Sequence, residues 1–212
     1  MFRSQVAATP ENVAVVYKNE QMSYAELDDL SDRIAVYLHE HGIGRGDFVS
    51  TLLSRCIWMP AVNLGVLKCG AAYQPLAPSY PQERVAFMVK DSNAKMVIAN
   101  RELMQLIPEY KGSVLFADKI KNLEKKACLE VLTPEDTFIL LYTSSTTGTP
   151  KGAMLRHKNL VNFCQWYINA MELDENSRVA AYASFGFDAS MMDTYPAFLD
   201  TMGVLLNDAK IS

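Results

Sequence analysis

The chain has 212 residues, of which 50% are hydrophobic and 21% charged, a composition typical of a soluble globular protein with its own core. Its net charge of −4 gives no electrostatic reason to expect nucleic acid or an anionic membrane as a partner, and we see no signal peptide or membrane-spanning run. The four cysteines and three histidines have no disulfide or metal-ligand spacing, so we expect reduced thiols, no metal site and a cytoplasmic location.

Strand and helix patterns alternate along the first half of the chain. Val13–Tyr17 is an apolar, β-rich run, and Ser23 and Glu26 then form the S-x-x-E signature of a helix start. Apolar residues at helical spacing predict a helix from about Tyr24 to His41, which Gly42 would end. The same patterns then predict strands at Phe48–Leu53, Ala71–Pro75, Lys95–Ala99 and Ser113–Ala117, and helices at Pro60–Lys68, Pro81–Asp91 and Glu102–Ile107.

The second half continues the alternation after a polar stretch at 119–136, a possible boundary between two sub-layers. We predict strands at Phe138–Thr143, Val179–Ala183 and Val204–Leu206, a short extended piece around Leu155, and helices at Lys158–Met171 and Met191–Asp200. Strands that are apolar throughout and alternate with helices predict an α/β architecture: a mostly parallel sheet with helices on both faces.

The loop after the Phe138–Thr143 strand has the chemistry of a phosphate-binding site. Five of the six residues Thr143–Gly148 are Ser or Thr, and Lys151 and Gly152 follow. Hydroxyl groups donate to phosphate oxygens, glycines let backbone N–H groups approach an anion, and Lys151 adds a positive charge. It is not a Walker loop, because Lys151 does not directly follow a glycine and no Ser or Thr comes after it. By composition alone, a flexible Ser/Thr-rich linker is the alternative.

The segment Tyr142–Gly152 reads Y-T-S-S-T-T-G-T-P-K-G and resembles the phosphate-binding signature of the adenylate-forming (AMP-binding) enzymes, Y-T-S-G-[ST]-T-G-x-P-K-G. Two other segments, Met22–Leu27 and Leu67–Arg84, are similar to further blocks of this family, so the resemblance spans nearly the whole chain in the family's order. The family includes the amino-acid-activating domains of nonribosomal peptide synthetases, D-alanine–carrier-protein ligases, acyl-CoA synthetases and luciferases. The chain departs from the family pattern at three positions, with Cys69 for alanine, Ala77 for aspartate and Ser145 for glycine.

A second motif bears on the substrate. Phe187–Ser190 reads F-D-A-S and resembles the F-D-x-S segment of the amino-acid-activating branch. The longer run Phe187–Pro196 is also similar to the D-alanine–carrier-protein ligases. The resemblance implies that Asp188 binds the α-ammonium group of an amino acid and that Phe187, Ala189 and Met192 help to form the substrate site. From spacing alone, the alternative is that Asp188 caps a helix containing Met191 and Met192.

The resemblance implies a two-step ATP-dependent reaction: an aminoacyl-adenylate and pyrophosphate form, and the acyl group passes to a phosphopantetheine thiol on a carrier protein. Thr143 and Lys151 would take part in catalysis, and the phosphates would be held by Thr143, Ser144, Ser145, Thr146, Thr147, Gly148 and Lys151. We expect residues 1–212 to be a truncated, N-terminal portion of the large adenylation domain, inactive alone, with the Mg²⁺ ligand further along the protein. An acyl- or aryl-CoA ligase fragment and a non-catalytic binding module of the same fold are the alternatives.

Overall fold

A computed structural model of the chain describes residues 1–124, 132–143, 149–174, 177–200 and 204–206. The helices in these ranges are α1 (Phe2–Ala8), α2 (Tyr24–Glu40), α3 (Met59–Lys68), α4 (Gln82–Asp91), α5 (His157–Ala170) and α6 (Tyr195–Asp200). The strands are β1 (Val13–Tyr17), β2 (Glu20–Ser23), β3 (Phe48–Leu52), β4 (Ala72–Pro75), β5 (Met96–Ala99), β6 (Ser113–Phe116), β7 (Thr137–Thr143), β8 (Lys151–Arg156), β9 (Val179–Ala181) and β10 (Val204–Leu206).

The strands form two sheets. The smaller has the order β2-β1-β10-β9, in which only the β1–β2 hairpin is antiparallel. The larger has the order β6-β5-β3-β4-β7-β8, and it is parallel except for the β7–β8 pair at its edge. The predicted α/β class with mostly parallel strands is therefore confirmed, with the strands divided between two sheets.

The two faces of the larger sheet pack against different helices. Helices α2 and α3 pack against each other, and their apolar residues share one buried cluster with β1 and with alternate residues of the larger sheet, such as Ile139. The residues between these, such as Leu140, point to the opposite face and join a second cluster with Val85 and Met88 of α4. Because side chains alternate along a strand, β7 contributes to both clusters, as a strand covered on both faces must.

The helix predicted after Ser23 is present as α2. The Ser23 hydroxyl accepts the Glu26 N–H at 3.2 Å, and the Glu26 carboxylate accepts the Ser23 N–H at 2.8 Å. The single helix predicted at Met191–Asp200 is instead a 3₁₀ turn (Asp188–Met191) followed by α6. Pro196 explains the break, because proline has no N–H to donate to the preceding turn and fits the first turn of a helix.

Two further segments differ from the sequence prediction or add to it. The predicted helix at Glu102–Ile107 is a 3₁₀ helix, Arg101–Leu106. A second 3₁₀ helix, Ala117–Asn122, overlaps the start of the polar stretch at 119–136. Helix α1, which was not predicted, contacts α2 and α6 through Phe2, whose ring lies 6.3 Å from that of Tyr24. No helix in the described part of the chain is both long and apolar enough to span a membrane.

Candidate active site

The predicted phosphate loop lies at the tip of the β7–β8 hairpin. Within the described residues, the pairing of β7 with β8 extends as far as Thr143 and Lys151, and the Thr143 hydroxyl donates to the Lys151 carbonyl oxygen at 3.5 Å. Both residues are exposed. The other residues assigned to the loop, Ser144, Ser145, Thr146, Thr147 and Gly148, lie outside the described residues.

The hairpin tip lies at the carboxyl edge of the larger sheet. Strand β7 runs parallel to β4, with Ile139 opposite Tyr73, and β4 runs parallel to β3. The carboxyl ends of these three strands therefore meet at one edge, where open α/β sheets bind their ligands. Among the residues that the structure describes, the Lys151 ammonium has no hydrogen bond or ion pair. An exposed hydroxyl and an unpaired ammonium at this edge suit a phosphate ligand.

The base of the loop is fixed to α4 by Tyr142. Its hydroxyl donates to an Asp91 carboxylate oxygen at 2.6 Å, and its ring meets that of Phe87 edge to face. Burial raises the pKa of Tyr142, and the hydrogen bond to Asp91 raises it further, so the hydroxyl remains a donor at neutral pH. Opposite Tyr142 in β8 is Gly152, and a Cβ there would lie 3.0 Å from Leu140 Cδ1. Gly152 thus makes room for neighbouring side chains within the hairpin.

A pocket of about 370 Å³ brings together three of the four predicted substrate residues, Asp188, Ala189 and Met192. Asp188 and Asn159 are its polar residues, and its apolar lining comes from Phe138, Leu155, Leu160, Phe163, Ala189, Met191 and Met192. The pocket therefore combines a single acidic group with a largely apolar wall, a combination that suits a ligand with one cationic group and an apolar body.

The Asp188 carboxylate is exposed at the first position of the 3₁₀ turn. One of its oxygens, Oδ1, accepts the N–H of Ala189 at 2.8 Å. Its other oxygen has no hydrogen bond within the described part of the chain. The alternative was that Asp188 caps a helix containing Met191 and Met192. In the described residues its support is this one bond to the adjacent residue, since α6 does not begin until Tyr195. One carboxylate oxygen remains available to a ligand.

Phe187 is not among the residues that line this pocket. Its ring is 56% exposed and lies edge-on to the ring of Tyr80, with centroids 6.4 Å apart. The Tyr80 hydroxyl donates to the Gly186 carbonyl oxygen at 3.3 Å, and a Cβ on Gly186 would approach that hydroxyl to 2.6 Å. Phe187 therefore anchors the segment before Asp188 against the chain that follows β4.

Two residues that the sequence analysis did not single out hold the same segment. The Arg55 guanidinium donates to the carbonyl oxygens of Ala181, Tyr182 and Ala183. The Asp193 carboxylate accepts the N–H groups of Tyr182 and Ala183 at 2.9 and 2.8 Å. A lone arginine after a strand and a lone aspartate before a helix carry no motif, so nothing in the sequence indicated these contacts.

The predicted site residues thus occupy two places along the hairpin. The pocket borders its base, where Ile139 pairs with Leu155, and the phosphate loop begins at its tip, where Thr143 pairs with Lys151. Thr143 is four positions after Ile139 along β7, which corresponds to about 14 Å. In the described ranges, no three His, Cys, Asp or Glu side chains are grouped as metal ligands.

Residues 2–210 match a family described as AMP-binding enzyme. Tyrocidine synthase 2 of Brevibacillus parabrevis is 34% identical over 94% of the chain, and gramicidin S synthase 2 of Brevibacillus brevis is 37% identical over the whole chain. The chain spans only 6% and 5% of these two proteins. Zwittermicin A synthase ZmaJ of Bacillus cereus is 33% identical over 92% of the chain, which spans 38% of it.

Solved structures of the same type superpose closely. The nonribosomal peptide synthetase FmoA3 covers all of the chain with a TM-score of 0.89 and 26% identity, and the chain covers 22% of it. Its AMPPNP-bound form gives a TM-score of 0.87 and 28% identity over 96% of the chain, which again covers 22% of it. The N-terminal subdomain of Klebsiella oxytoca NpsA, at 21% identity, shares the fold with a TM-score of 0.89 over the whole chain, which covers 54% of it.

Proposed function

Because the chain belongs to the AMP-binding enzyme family, we propose that it is part of an ATP-dependent enzyme that activates an amino acid as its aminoacyl-adenylate and releases pyrophosphate. The single observation that supports an amino acid as the substrate is Asp188, an acidic group in a largely apolar pocket, one of whose oxygens accepts no hydrogen bond from the described residues. A carboxylate in such a wall favours a ligand that carries an ammonium group, because the charge-assisted hydrogen bond offsets the loss of hydration.

In this proposal the acid lies beside the base of the β7–β8 hairpin, and the nucleotide lies at the carboxyl edge of the larger sheet, where Thr143 pairs with Lys151. The acid would place its ammonium group at Asp188 and its side chain against Ala189 and Met192, with its carboxylate directed along β7. Lys151 and the Thr143 hydroxyl, together with residues 144–148, would hold the β- and γ-phosphates and neutralise the charge that develops on pyrophosphate. The carboxylate of the acid would attack the α-phosphorus, and the bond from that phosphorus to pyrophosphate would break.

The remaining parts of the proposal concern groups beyond these residues. ATP supplies the leaving pyrophosphate, and AMPPNP, bound in the related FmoA3 structure, is a nucleotide of the same shape. From the family resemblance, we further propose that the protein ligand of Mg²⁺ lies elsewhere in the enzyme. We further propose that residues 1–212 form the N-terminal portion of the large adenylation domain and that they do not adenylate alone. The acyl group would pass to a phosphopantetheine thiol on a carrier protein in the cytoplasm.

The test is amino-acid-dependent exchange between ATP and pyrophosphate in the full-length protein, over a panel of amino acids and non-amino acids. Asp188→Ala should raise the KM for the amino acid by about tenfold or more, because a hydrogen bond to a charged group contributes about 1.5–3 kcal/mol. Asp118→Ala is the matched control, because this exposed aspartate pairs with Arg101 at 2.9 Å outside the pocket. Activation of fatty or aryl acids in place of amino acids would contradict the proposal, and so would full activity in Asp188→Ala.

A further inference from the structure

The segment between β9 and Asp188 crosses the carboxyl edge of the larger sheet without joining it. Its residues Ser184 and Gly186 border a cavity of about 160 Å³ together with Thr51 of β3 and Pro75 of β4. A segment outside a sheet has no ladder to satisfy its backbone polar groups, so those groups need other partners. Two charged side chains provide them here.

Arg55 binds the segment through its carbonyl oxygens. Its guanidinium donates to three successive carbonyls, at 3.2 Å for Tyr182, 2.9 Å for Ala183 and a still shorter distance for Ala181. It also lies over the ring of Phe185, 5.6 Å from the ring centroid. Arg55 belongs to the loop between β3 and α3, so these contacts fasten the segment to the larger sheet.

Asp193 binds the same peptides through their N–H groups. Its Oδ2 accepts from both Tyr182 and Ala183, at 2.9 and 2.8 Å. Asp193 directly follows Met192, so the carboxylate closes residues 182–193 into a loop whose two ends are joined. Asp188 lies in the middle of this loop, and Arg55 links the loop to the chain that follows β3.

From this geometry we propose that Arg55 and Asp193 are positioning residues that hold Asp188 at a set distance from the larger sheet, and so determine how tightly the acid substrate binds. The inference rests on the proposed function, because it takes Asp188 as the ammonium ligand. The contacts of Arg55 in the described part of the chain are to the segment and not to the pocket that Asp188 lines, since three of its five N–H donors are directed at backbone carbonyls. Its effect on the reaction passes through the segment that leads to Asp188.

The experiment compares Arg55→Lys with the wild type in the full-length protein. Lysine keeps the charge and the aliphatic stem, but its ammonium cannot span three carbonyls as the planar guanidinium does. We expect the KM for the amino acid to rise about tenfold, in line with the loss of charge-assisted hydrogen bonds, while the KM for ATP stays within about twofold. Asp193→Asn, which keeps an acceptor oxygen, should act in the same direction with a smaller effect.

The matched control is Arg101→Lys. Arg101 also combines a polar contact, to Asp118, with a position over an aromatic ring, that of Phe116 at 4.0 Å. The Arg101→Lys variant should leave the KM for the amino acid and the KM for ATP unchanged. If Arg55 had only a structural role, Arg55→Lys would lower the thermal midpoint or change the KM for the amino acid and the KM for ATP equally. Either result, without a selective rise in the KM for the amino acid, would overturn the proposal.

Hydrogen exchange separates this proposal from the proposed function. In Arg55→Lys the amides of residues 182–190 should exchange about tenfold faster, because a backbone amide exchanges when its local contacts open. In Arg101→Lys their exchange should not change. Unchanged exchange of these amides in Arg55→Lys overturns the positioning role whatever the enzyme activates. If the wild type instead activates no amino acid, the proposed function fails, and faster exchange in Arg55→Lys still supports the hold on the segment.

Discussion

The hydrogen bond between Tyr142 and Asp91 allows a quantitative test of how the end of β7 is anchored to α4. Tyr142→Phe removes the hydroxyl that donates to Asp91 at 2.6 Å and leaves the ring in place against Phe87. A hydrogen bond to a charged group contributes about 1.5–3 kcal/mol when buried. Asp91 is exposed and regains water when the hydroxyl is removed, so we expect a loss of about 1 kcal/mol in the free energy of unfolding.

The assay is thermal denaturation of the wild type and Tyr142→Phe at neutral pH. For a domain of this size, a loss of about 1 kcal/mol lowers the midpoint by about 2–4 °C. Tyr110→Phe is the matched control, because in the described part of the chain the Tyr110 hydroxyl makes longer contacts, at 3.3 and 3.4 Å, and these are with neutral carbonyl oxygens. The Asp91→Ala variant completes a double-mutant cycle, and a coupling energy of zero between the two sites would refute the reasoning.

Three further changes test the hairpin and its surroundings. Burial lowers the pKa of His157 below its usual 6.5, and the charge of Asp136 partly offsets this effect. The unfolded chain therefore binds the proton more readily than the folded chain, so stability should fall as the pH drops below about 6.5. Between about pH 7 and 5 the thermal midpoint should fall less in His157→Gln than in the wild type, and equal slopes would contradict this. Gly152→Ala should destabilise by about 1 kcal/mol in urea denaturation, because its Cβ would crowd Leu140; an unchanged urea midpoint would show that the hairpin has room for it. Lys151→Ala in the full-length protein should raise the KM for ATP by about tenfold, because a charge-assisted contact to phosphate is lost. The thermal midpoint should not change, because Lys151 is exposed, and an unchanged KM for ATP would show that Lys151 does not bind the phosphates.

The sequence alone determined the features that depend on neighbours along the chain. The capping pair Ser23 and Glu26 marks the start of α2, because a helix cap is a local set of hydrogen bonds. The apolar runs define most strands within one or two residues, because a strand covered on both faces needs apolar side chains throughout. The order of strand, hydroxyl-rich loop and Lys151 indicated the family, which the match over residues 2–210 confirms.

Only the tertiary structure decided how distant parts meet. The division of the strands between two sheets depends on which strands pair, and the apolar sequence of a strand does not specify the strand that it pairs with. The position of Phe187 against Tyr80, outside the pocket that Asp188 lines, likewise follows from chain paths. Arg55 carries no signal in the sequence, because its partners are backbone carbonyls, which every residue has. Local patterns thus specify the elements and the family, whereas the contacts that place Asp188 join residues far apart in the chain and become visible only once it is folded.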